Sequence, residues 1–355
     1  MSNLLDQPAN IRPGEELDAA KLEPYLRAKF PDAGGELEIR QYPSGHSNLT
    51  YAVRLGDEQF VLRRPPFGSK VKSAHDMGRE FRVLAKLRAV YPPAPEVLFY
   101  CDDDGMLGAP FYVMRPIHGV ILRKTVPPDL NLTPQKAREL CVSLLDNLIR
   151  LHHVDYTAAG LADLGKPAGY LERQVRGWIE RYHNSQTHDY PAVEQIASWL
   201  QQNAPATSQV SLIHNDYKFD NVILDPGNLR EIIGVLDWEM ATIGDPLTDL
   251  GTTLAYWADP EDPEELKQNF SDVTTQPGSV SRAEMAALYA EKTAIDTTHM
   301  PFYLSFARFK LAVIVQQIYY RYSQGLTRDP RFTTLPDRVS GLLEASLHCA
   351  QSQQI

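Results

Sequence analysis

The residues best suited to chemistry lie between positions 214 and 237 of the chain. Asp216 precedes Asn221 by five positions, and Asp237 ends an apolar, β-like run. Transfer of a phosphoryl group from ATP uses one carboxylate to orient the attacking hydroxyl group, and an Asn with a second carboxylate to hold Mg²⁺ on the phosphates. The three residues occur in that order, which predicts a protein that transfers a phosphoryl group or descends from one that did.

Each of these residues, with two neighbours, has a predicted role. Asp216 orients or accepts the proton of the substrate hydroxyl group, and Asn221 and Asp237 supply the hard oxygen atoms that Mg²⁺ prefers. Lys218 neutralises charge near the transferred phosphate, and His214 braces the loop by hydrogen bonds. The alternative is that Asp216 and Asn221 are turn residues and Asp237 is a cap, but the occurrence of the whole set favours chemistry.

The composition bounds the class of protein. The chain has 355 residues, a net charge of -10 and 43% hydrophobic residues, which is enough material for two or three packed units and argues against a nucleic-acid partner. Its three cysteines, Cys101, Cys141 and Cys349, have no metal-type spacing, so we expect buried, reduced thiols. The sequence shows no signal peptide and no apolar run long enough for a membrane span. These features predict a cytoplasmic protein without a membrane partner.

The elements that must position these residues change in character along the chain. Hydrophobic periodicity and turn residues predict helices over 16–30 and 74–90, the second capped by Ser73, and strands over 37–42, 48–55, 59–63, 96–100 and 111–114. A turn-rich segment at 102–105 separates the last two strands. Later helices are predicted over 134–153, 170–183, 193–203, 246–257, 282–296, 301–322 and 336–350, interrupted by a short β-rich segment at 210–236. This pattern predicts an α+β protein with a small β-rich lobe over 1–113, a hinge at 114–119 and a mainly helical lobe over 120–355.

Several motifs together resemble one family. They are His214-Asn215-Asp216 with Asn221, Leu236-Asp237-Trp238-Glu239, the run from Gly244 to Gly251, the run from Ser44 to Tyr51, Phe60 to Pro66, Ser73-Ala74-His75 and Arg79-Glu80-Phe81. The set is similar to the aminoglycoside phosphotransferase family, whose relatives include choline kinase and the protein kinases. It resembles in particular a branch that contains the kinase-like domain fused to some eukaryotic acyl-CoA dehydrogenases. The resemblance implies a protein-kinase-like fold of two lobes, ATP as co-substrate and Mg²⁺ as cofactor.

The resemblance also implies a loop that covers the ATP phosphates. In this sequence it consists of Ser44, Gly45, His46, Ser47 and Asn48, with one glycine instead of the several that protein kinases have. Backbone N–H groups and the two serine hydroxyls suit phosphate oxygens. A surface hairpin turn would account for the same residues equally well.

Two further parts of a nucleotide site follow from the resemblance. Arg63 takes the place of the lysine that usually binds the α- and β-phosphates, and Glu80 takes that of its helix partner. A guanidinium is planar and bulkier than an ammonium, so the geometry cannot be identical. The adenine-binding segment is assigned to Met114, Arg115, Pro116 and Ile117, although an ordinary edge strand would have the same composition.

Other conspicuous residues are expected to have structural roles. Asp245 is expected to cap a helix that begins at Pro246, and Asp249 to face inward and hydrogen-bond the loop of Asp216. His152 and His153 are expected to be core or capping residues, because they have no ligand partner at metal spacing. Late basic residues, among them Arg308 and Lys310, could meet the phosphates of ATP or coenzyme A, but solvation at the surface is the expected role. The acidic stretch 259–265 is expected to be an exposed connector.

The acceptor of the phosphoryl group is left open by the sequence. The resemblance favours a kinase for the hydroxyl group of a small molecule, such as a hydroxyacyl-CoA-like metabolite. One alternative is an aminoglycoside O-phosphotransferase, which would need an acidic pocket for a polycationic sugar. Another is a nucleotide-binding pseudokinase that acts as a scaffold, but intact Asp216, Asn221 and Asp237 argue against it.

Overall fold

The first third of the chain forms an antiparallel sheet, and burial alternates along its strand Leu49–Leu55. The computed structural model of the chain describes residues 7–43, 48–67, 76–207, 209–267, 270–327 and 330–355. In this part of the chain the sheet has the strand order β1-β2-β3-β5-β4. Its strands are β1 (Leu37–Gln41), β2 (Leu49–Leu55), β3 (Glu58–Arg64), β4 (Val97–Cys101) and β5 (Phe111–Met114).

Three helices accompany the sheet: α1 (Ala19–Lys29), α2 (Met77–Leu87) and the short α3 (Asp104–Leu107). Leu22 and Leu26 of α1 are buried in one apolar cluster with Tyr51, Phe60 and other residues of the sheet. Burying each leucine contributes about 1.5–3 kcal/mol, which accounts for the docking of a helix with a weakly apolar sequence.

The predicted start of α2 is wrong. Asp76 is the N-cap, and its carboxylate accepts a hydrogen bond of 2.8 Å from the Arg79 amide, so the helix begins at Met77. Ser73 lies outside the described residues. The turn-rich segment before β5 also contains the single helical turn of α3, which ends at Gly108 with a φ of +81°.

The remaining strands are three or four residues long. They are β6 (Ser211–Ile213), β7 (Val222–Leu224), β8 (Ile232–Val235) and β9 (Thr242–Gly244). β7 and β8 form an antiparallel hairpin, and β6 pairs with β9. The sequence did not predict β9, because three residues are too few to show an alternating pattern.

After β5 the described residues form α-helices of 4 to 24 residues. They are α4 (Pro134–His152), α5 (Tyr170–Ser185), α6 (Ala192–Gln202), α7 (Pro246–Ala255), α8 (Glu264–Lys267), α9 (Arg282–Thr293), α10 (Met300–Ser323) and α11 (Leu335–Ser352). α10 is buried almost all round from Phe302 to Val313 and packs against α5, α7 and α11. A helix that is buried on all sides lies in the core of its unit.

The chain divides into two units. The first unit comprises Met1–Ile121, Thr157–Leu161 and Asn221–Ala241, and the second comprises Leu122–Tyr156, Ala162–Asp220 and Thr242–Ile355. The hairpin of β7 and β8 therefore belongs to the same unit as the five-stranded sheet. The domain boundaries predicted from the sequence, with a hinge at 114–119, stay a prediction.

The state of the cysteines and the length of the apolar helices were both considered from the sequence. Cys101, Cys141 and Cys349 are buried and unpaired with one another, as predicted. Among the described residues, no helix is both long and apolar enough to cross a bilayer.

Candidate active site

The loop that carries Asp216 follows β6 in the second unit and is fixed through its backbone. The Asp249 carboxylate accepts hydrogen bonds from the amides of His214, at 2.6 Å, and Asn215, at 2.7 Å. Asn215 has a left-handed backbone with a φ of +67°, a conformation that Asn tolerates better than most residues. Asp249 therefore hydrogen-bonds this loop, as the sequence predicted.

Asp249 is completely buried in α7 and is kept ionised there. Burial raises the pKa of its carboxyl group, but His152 and the loop amides outweigh this effect, and the net pKa lies below its usual value. The Nε2 atom of His152 is 3.3 Å from Asp249, and its Nδ1 atom is 2.8 Å from the Tyr289 hydroxyl. This buried histidine has the core role that was predicted for it.

The start of α7 places Asp249 in this position. Asp245 is the N-cap and accepts a hydrogen bond from the Leu247 amide at 2.9 Å, and Pro246 occupies the first turn, as predicted. The Tyr303 hydroxyl donates to Asp245 at 2.8 Å, which anchors the helix to α10. Asp249 lies one turn into the helix, and its side chain therefore points to the loop after β6.

Lys218 is paired with Asp216. Its Nζ atom lies 3.0 Å from both carboxylate oxygens, and each side chain keeps 20% of its surface exposed. The same ammonium lies 4.1 Å from the centre of the Tyr256 ring. Burial lowers the pKa of Lys218, but Tyr256 and Asp216 more than offset it and the net pKa is raised. Lys218 therefore stays charged beside the candidate base.

His214 is fully buried and contacts the loop itself. The amide of Asp216 donates a hydrogen bond to His214 Nδ1 at 3.2 Å, and the imidazole packs edge-on against Tyr217. These contacts are those of a bracing residue, because a fully buried ring has no surface for a substrate.

Asn221 and Asp237 lie at the same end of the β7–β8 hairpin in the first unit. Val222 pairs with Val235, and the amide of Leu236 donates a 2.8 Å hydrogen bond to the carbonyl of Asn221. Asp237 follows with a φ of +69°. The amide and carboxylate oxygens of this pair suit Mg²⁺. Among the described residues there is no group of three or more His, Cys, Asp or Glu residues that could hold a metal.

Arg63 connects β3 to both α2 and the hairpin within the first unit. Its Nε atom is 3.2 Å from Glu80, and its guanidinium also pairs with Asp237. Burial raises the pKa of Glu80, and Arg63 opposes that shift. Burial lowers the pKa of Arg63, but the two carboxylates outweigh it and raise the pKa well above its usual value. The ion pair of Arg63 and Glu80 predicted from the resemblance is therefore present.

The structure describes only one residue of the loop predicted to cover the ATP phosphates. Ser44, Gly45, His46 and Ser47 lie outside the described residues. Asn48 is buried, and its side chain donates a 2.6 Å hydrogen bond to Glu239.

The segment predicted to bind adenine is fixed at both ends within the first unit. Met114 ends β5 and is buried, and the amide of Arg115 donates to the Glu96 carbonyl at 2.8 Å. Ile117 lies against Gly234 of the β7–β8 hairpin, where a Cβ atom would come within 3.0 Å of the isoleucine side chain. Val120 then pairs with Leu224. Residues 114–117, including Pro116, therefore run beside the hairpin that carries Asn221 and Asp237.

Sequence reasoning missed Lys310. It was expected to be solvated, but 4% of it is exposed, and its Nζ atom donates a 3.0 Å hydrogen bond to the carbonyl of Asn215. The available signal was its place in the run Phe309-Lys310-Leu311-Ala312-Val313, where a single lysine interrupts an apolar helix. Arg308 was also expected to be solvated and is buried.

The prediction that the acidic stretch 259–265 is an exposed connector is wrong for two of its residues. Asp259 and Asp262 are largely buried and bind Arg282, with 2.7 Å between the Asp262 carboxylate and the guanidinium. Pro260, Glu261 and Glu264 are exposed. The charge that might have formed an acidic pocket is therefore partly neutralised.

The chain belongs to the phosphotransferase enzyme family, whose model matches residues 38–284. The lobe with the small antiparallel sheet and the helical lobe are those of the aminoglycoside phosphotransferase-like kinase fold, so the fold class predicted from the sequence is confirmed.

A curated relative is "Acyl-CoA dehydrogenase family member 11" of Homo sapiens, 33% identical over 350 residues that make up 97% of this chain and 44% of the relative. The chain thus spans less than half of the length of that relative. A Ralstonia eutropha structure, described as a candidate aminoglycoside phosphotransferase, is 27% identical with a TM-score of 0.78, covering 95% of this chain and 99% of the other. A thermostable mutant of aminoglycoside phosphotransferase APH(4)-Ia, in a ternary complex with ADP and hygromycin B, shares the fold at 16% identity and a TM-score of 0.59, covering 93% of this chain and 98% of the other.

Proposed function

We propose that this protein transfers the γ-phosphoryl group of ATP to a hydroxyl group of a small molecule. The observation that carries the proposal is the loop of Asp216, whose preceding amides are bound by a buried, ionised Asp249. A loop held rigidly in this way suits Asp216, because its carboxylate must meet a substrate proton at hydrogen-bond distance.

In the proposed reaction Asp216 accepts the proton of the acceptor hydroxyl group as its oxygen attacks the γ-phosphorus. The bond between the γ-phosphorus and the bridging oxygen breaks, and ADP leaves. Lys218 supports this step because its ammonium, 3.0 Å from the Asp216 carboxylate, places positive charge beside the reacting groups. His214 keeps the peptide of Asp216 in position.

The first unit supplies the proposed nucleotide contacts. Arg63, oriented by Glu80, would bind phosphate oxygens, and residues 114–117 would hold the adenine. Asn48 would belong to the loop that covers the phosphates. Asn221 and Asp237 would hold Mg²⁺, which neutralises phosphate charge when it is bound. The ADP in the APH(4)-Ia complex supports ATP as co-substrate.

Charges in the second unit favour an anionic acceptor over a polycationic one. Lys310 interacts electrostatically with Asp216, Asp249, Lys218 and Arg181, so three cations, Lys310 included, face two anions in this group. The carboxylates of Asp259 and Asp262 are already bound by Arg282. A hydroxyacyl-CoA-like metabolite carries the negative charge that this excess of cations attracts, whereas an aminoglycoside would be repelled. The acyl-CoA dehydrogenase relative agrees with this choice.

The test is a phosphoryl-transfer screen of the purified protein with ATP and with GTP. The acceptors are hydroxyacyl-CoAs, aminoglycosides, choline and short sugars, and the readout is the mass increase of the acceptor together with ADP release. We expect transfer to a hydroxyacyl-CoA and none to kanamycin. Nucleotide binding without transfer to any acceptor would favour the pseudokinase instead, and transfer to an aminoglycoside alone would overturn the anionic acceptor.

A further inference from the structure

Lys310 contacts the peptide group that joins Asn215 to Asp216. Its Nζ atom donates a 3.0 Å hydrogen bond to the carbonyl of Asn215. The N–H group of the same peptide, which belongs to Asp216, donates to His214 Nδ1 at 3.2 Å. Both polar ends of this peptide are therefore held by side chains, one from α10 and one from the loop itself.

This peptide sets the direction of the Asp216 side chain. Rotation of the peptide plane changes ψ of Asn215 and φ of Asp216 together. Asn215 is in the left-handed region, with a φ of +67°, which Asn tolerates but which is less populated than the right-handed region for a non-glycine residue. Asp249 fixes the two preceding amides, and Lys310 fixes the carbonyl that follows them.

We propose that Lys310 is a positioning residue for phosphoryl transfer, whose charged ammonium holds the Asn215–Asp216 peptide in the orientation that Asp216 needs. The proposal rests on the proposed function. Lys310 itself touches no reacting atom: it acts through the loop backbone. An ammonium makes a stronger hydrogen bond to a carbonyl than a neutral amine does, so its hold depends on the charge.

The surroundings of Lys310 make that charge sensitive to pH. Burial lowers the pKa of Lys310 to about 8, while Asp216 of the loop and Asp249 of α7 oppose the shift. Lys218 of the loop and Arg181 of α5 add to it. His152 of α4 lies behind Asp249, at 3.3 Å, and the ring of Trp178 lies 5.7 Å from the ammonium. Lys310 is therefore charged below about pH 8 and loses its charge above that value.

The first test compares kcat as a function of pH for the wild type, Lys310→Met and Lys310→Arg. Methionine keeps the volume and removes the donor, so we expect kcat to fall by about 10- to 100-fold at pH 7, with the KM for ATP changed less than about threefold. The wild type should lose activity above about pH 8, and this alkaline limb should be absent in both variants. Lys310→Arg should retain more activity than Lys310→Met, because a guanidinium stays charged.

A matched control is Lys292→Met on α9, where the ammonium pairs with Asp146 at 2.9 Å and 38% of the side chain is exposed. We expect this variant to have wild-type kcat and the same alkaline limb. A Lys310→Met variant with wild-type kcat would overturn the proposal. So would an unchanged alkaline limb in Lys310→Arg, or a loss of activity that only matches a loss of folded protein.

The second test needs no acceptor and separates this proposal from the proposed function. Hydrogen exchange of the Asp216 amide reports directly on the peptide that Lys310 holds. We expect Lys310→Met to accelerate this exchange about fivefold or more, the change that follows from losing one hydrogen bond, and Lys292→Met to leave it unchanged. If the wild type transfers to no acceptor, the proposed function fails while this experiment still decides the role of Lys310. Unchanged exchange in Lys310→Met would overturn the role.

Discussion

The amide of Trp238 donates a 3.1 Å hydrogen bond to the Glu80 carboxylate, across 158 positions of sequence. The same carboxylate pairs with Arg63. Glu80 thus fixes both the cation of β3 and the backbone directly after Asp237. This arrangement gives a buried glutamate of α2 two functions, because it orients a candidate phosphate-binding group and a candidate metal ligand at once.

Replacing Glu80 should therefore reduce the stability of the first unit. Glu80→Ala leaves the buried Arg63 without one partner and the Trp238 amide without its acceptor, so we expect the free energy of unfolding to fall by about 3 kcal/mol or more. Glu80→Gln keeps an acceptor for the amide and should lose less. Urea denaturation followed by tryptophan fluorescence measures both.

The control for these variants is Glu38→Gln, which breaks an ion pair with Arg54 whose two side chains are about half exposed. An exposed pair contributes little, and the unfolding midpoint should hardly move. If Glu80→Ala were as stable as Glu38→Gln, the bridging role of Glu80 would be wrong.

Asp216→Asn tests the candidate base. The change keeps the shape of the side chain but removes its ability to accept a proton, so kcat should fall by about 10²- to 10⁴-fold. ATP binding in the presence of Mg²⁺ and the thermal midpoint should be nearly unchanged, because the contacts of the loop with Asp249 are made by the backbone. Steady-state kinetics and calorimetric titration provide these values. Asp146→Asn, on the exposed side of α4, is the control, and turnover near the wild-type value in Asp216→Asn would exclude Asp216 as the base.

Asp237→Asn tests the candidate metal ligand. Asparagine tolerates the left-handed backbone at φ +69°, so the variant removes charge without new strain. We expect the affinity for ATP in the presence of Mg²⁺ to fall by at least about tenfold, equivalent to roughly 1.4 kcal/mol of lost charge interaction. Without Mg²⁺ the affinity should be equal or higher, since Arg63 no longer faces a carboxylate. Titration calorimetry with and without Mg²⁺ measures these affinities. If the ATP affinity depended on Mg²⁺ identically in the wild type and in Asp237→Asn, the role of Asp237 as a metal ligand would be contradicted.

Asp249→Asn should make stability depend differently on pH. The net pKa of Asp249 in the folded protein is lowered, so its contribution is complete above the unfolded value of about 3.9 and is lost as the pH falls through the lower, folded pKa. The wild type should therefore be more stable than the variant at pH 7, and the difference should shrink below about pH 4. Urea midpoints across the acid range measure this difference. A constant difference down to pH 2 would mean that the charge of Asp249 is not what stabilises the loop.

Local rules in the sequence determined much of this molecule. The order of Asp216, Asn221 and Asp237 predicted the chemistry, and the pair Asp245-Pro246 predicted the start of α7, because capping depends on neighbouring residues alone. Strand and helix positions were largely predictable for the same reason, apart from β9, the first turn of α2 and the short helices α3 and α8.

Only the tertiary structure decided which charges are buried and what they contact. Lys310 and Asp262 have charged side chains of the kind usually found at the surface. In the fold, however, Lys310 binds the Asn215 carbonyl and Asp262 binds the buried Arg282. Residues that meet across about 95 positions, as Lys310 and Asn215 do, leave no periodic signal in the chain. Their energies depend on burial and on partners that folding alone brings together, and so the sequence predicted a reaction while the fold determined how the loop of Asp216 is held.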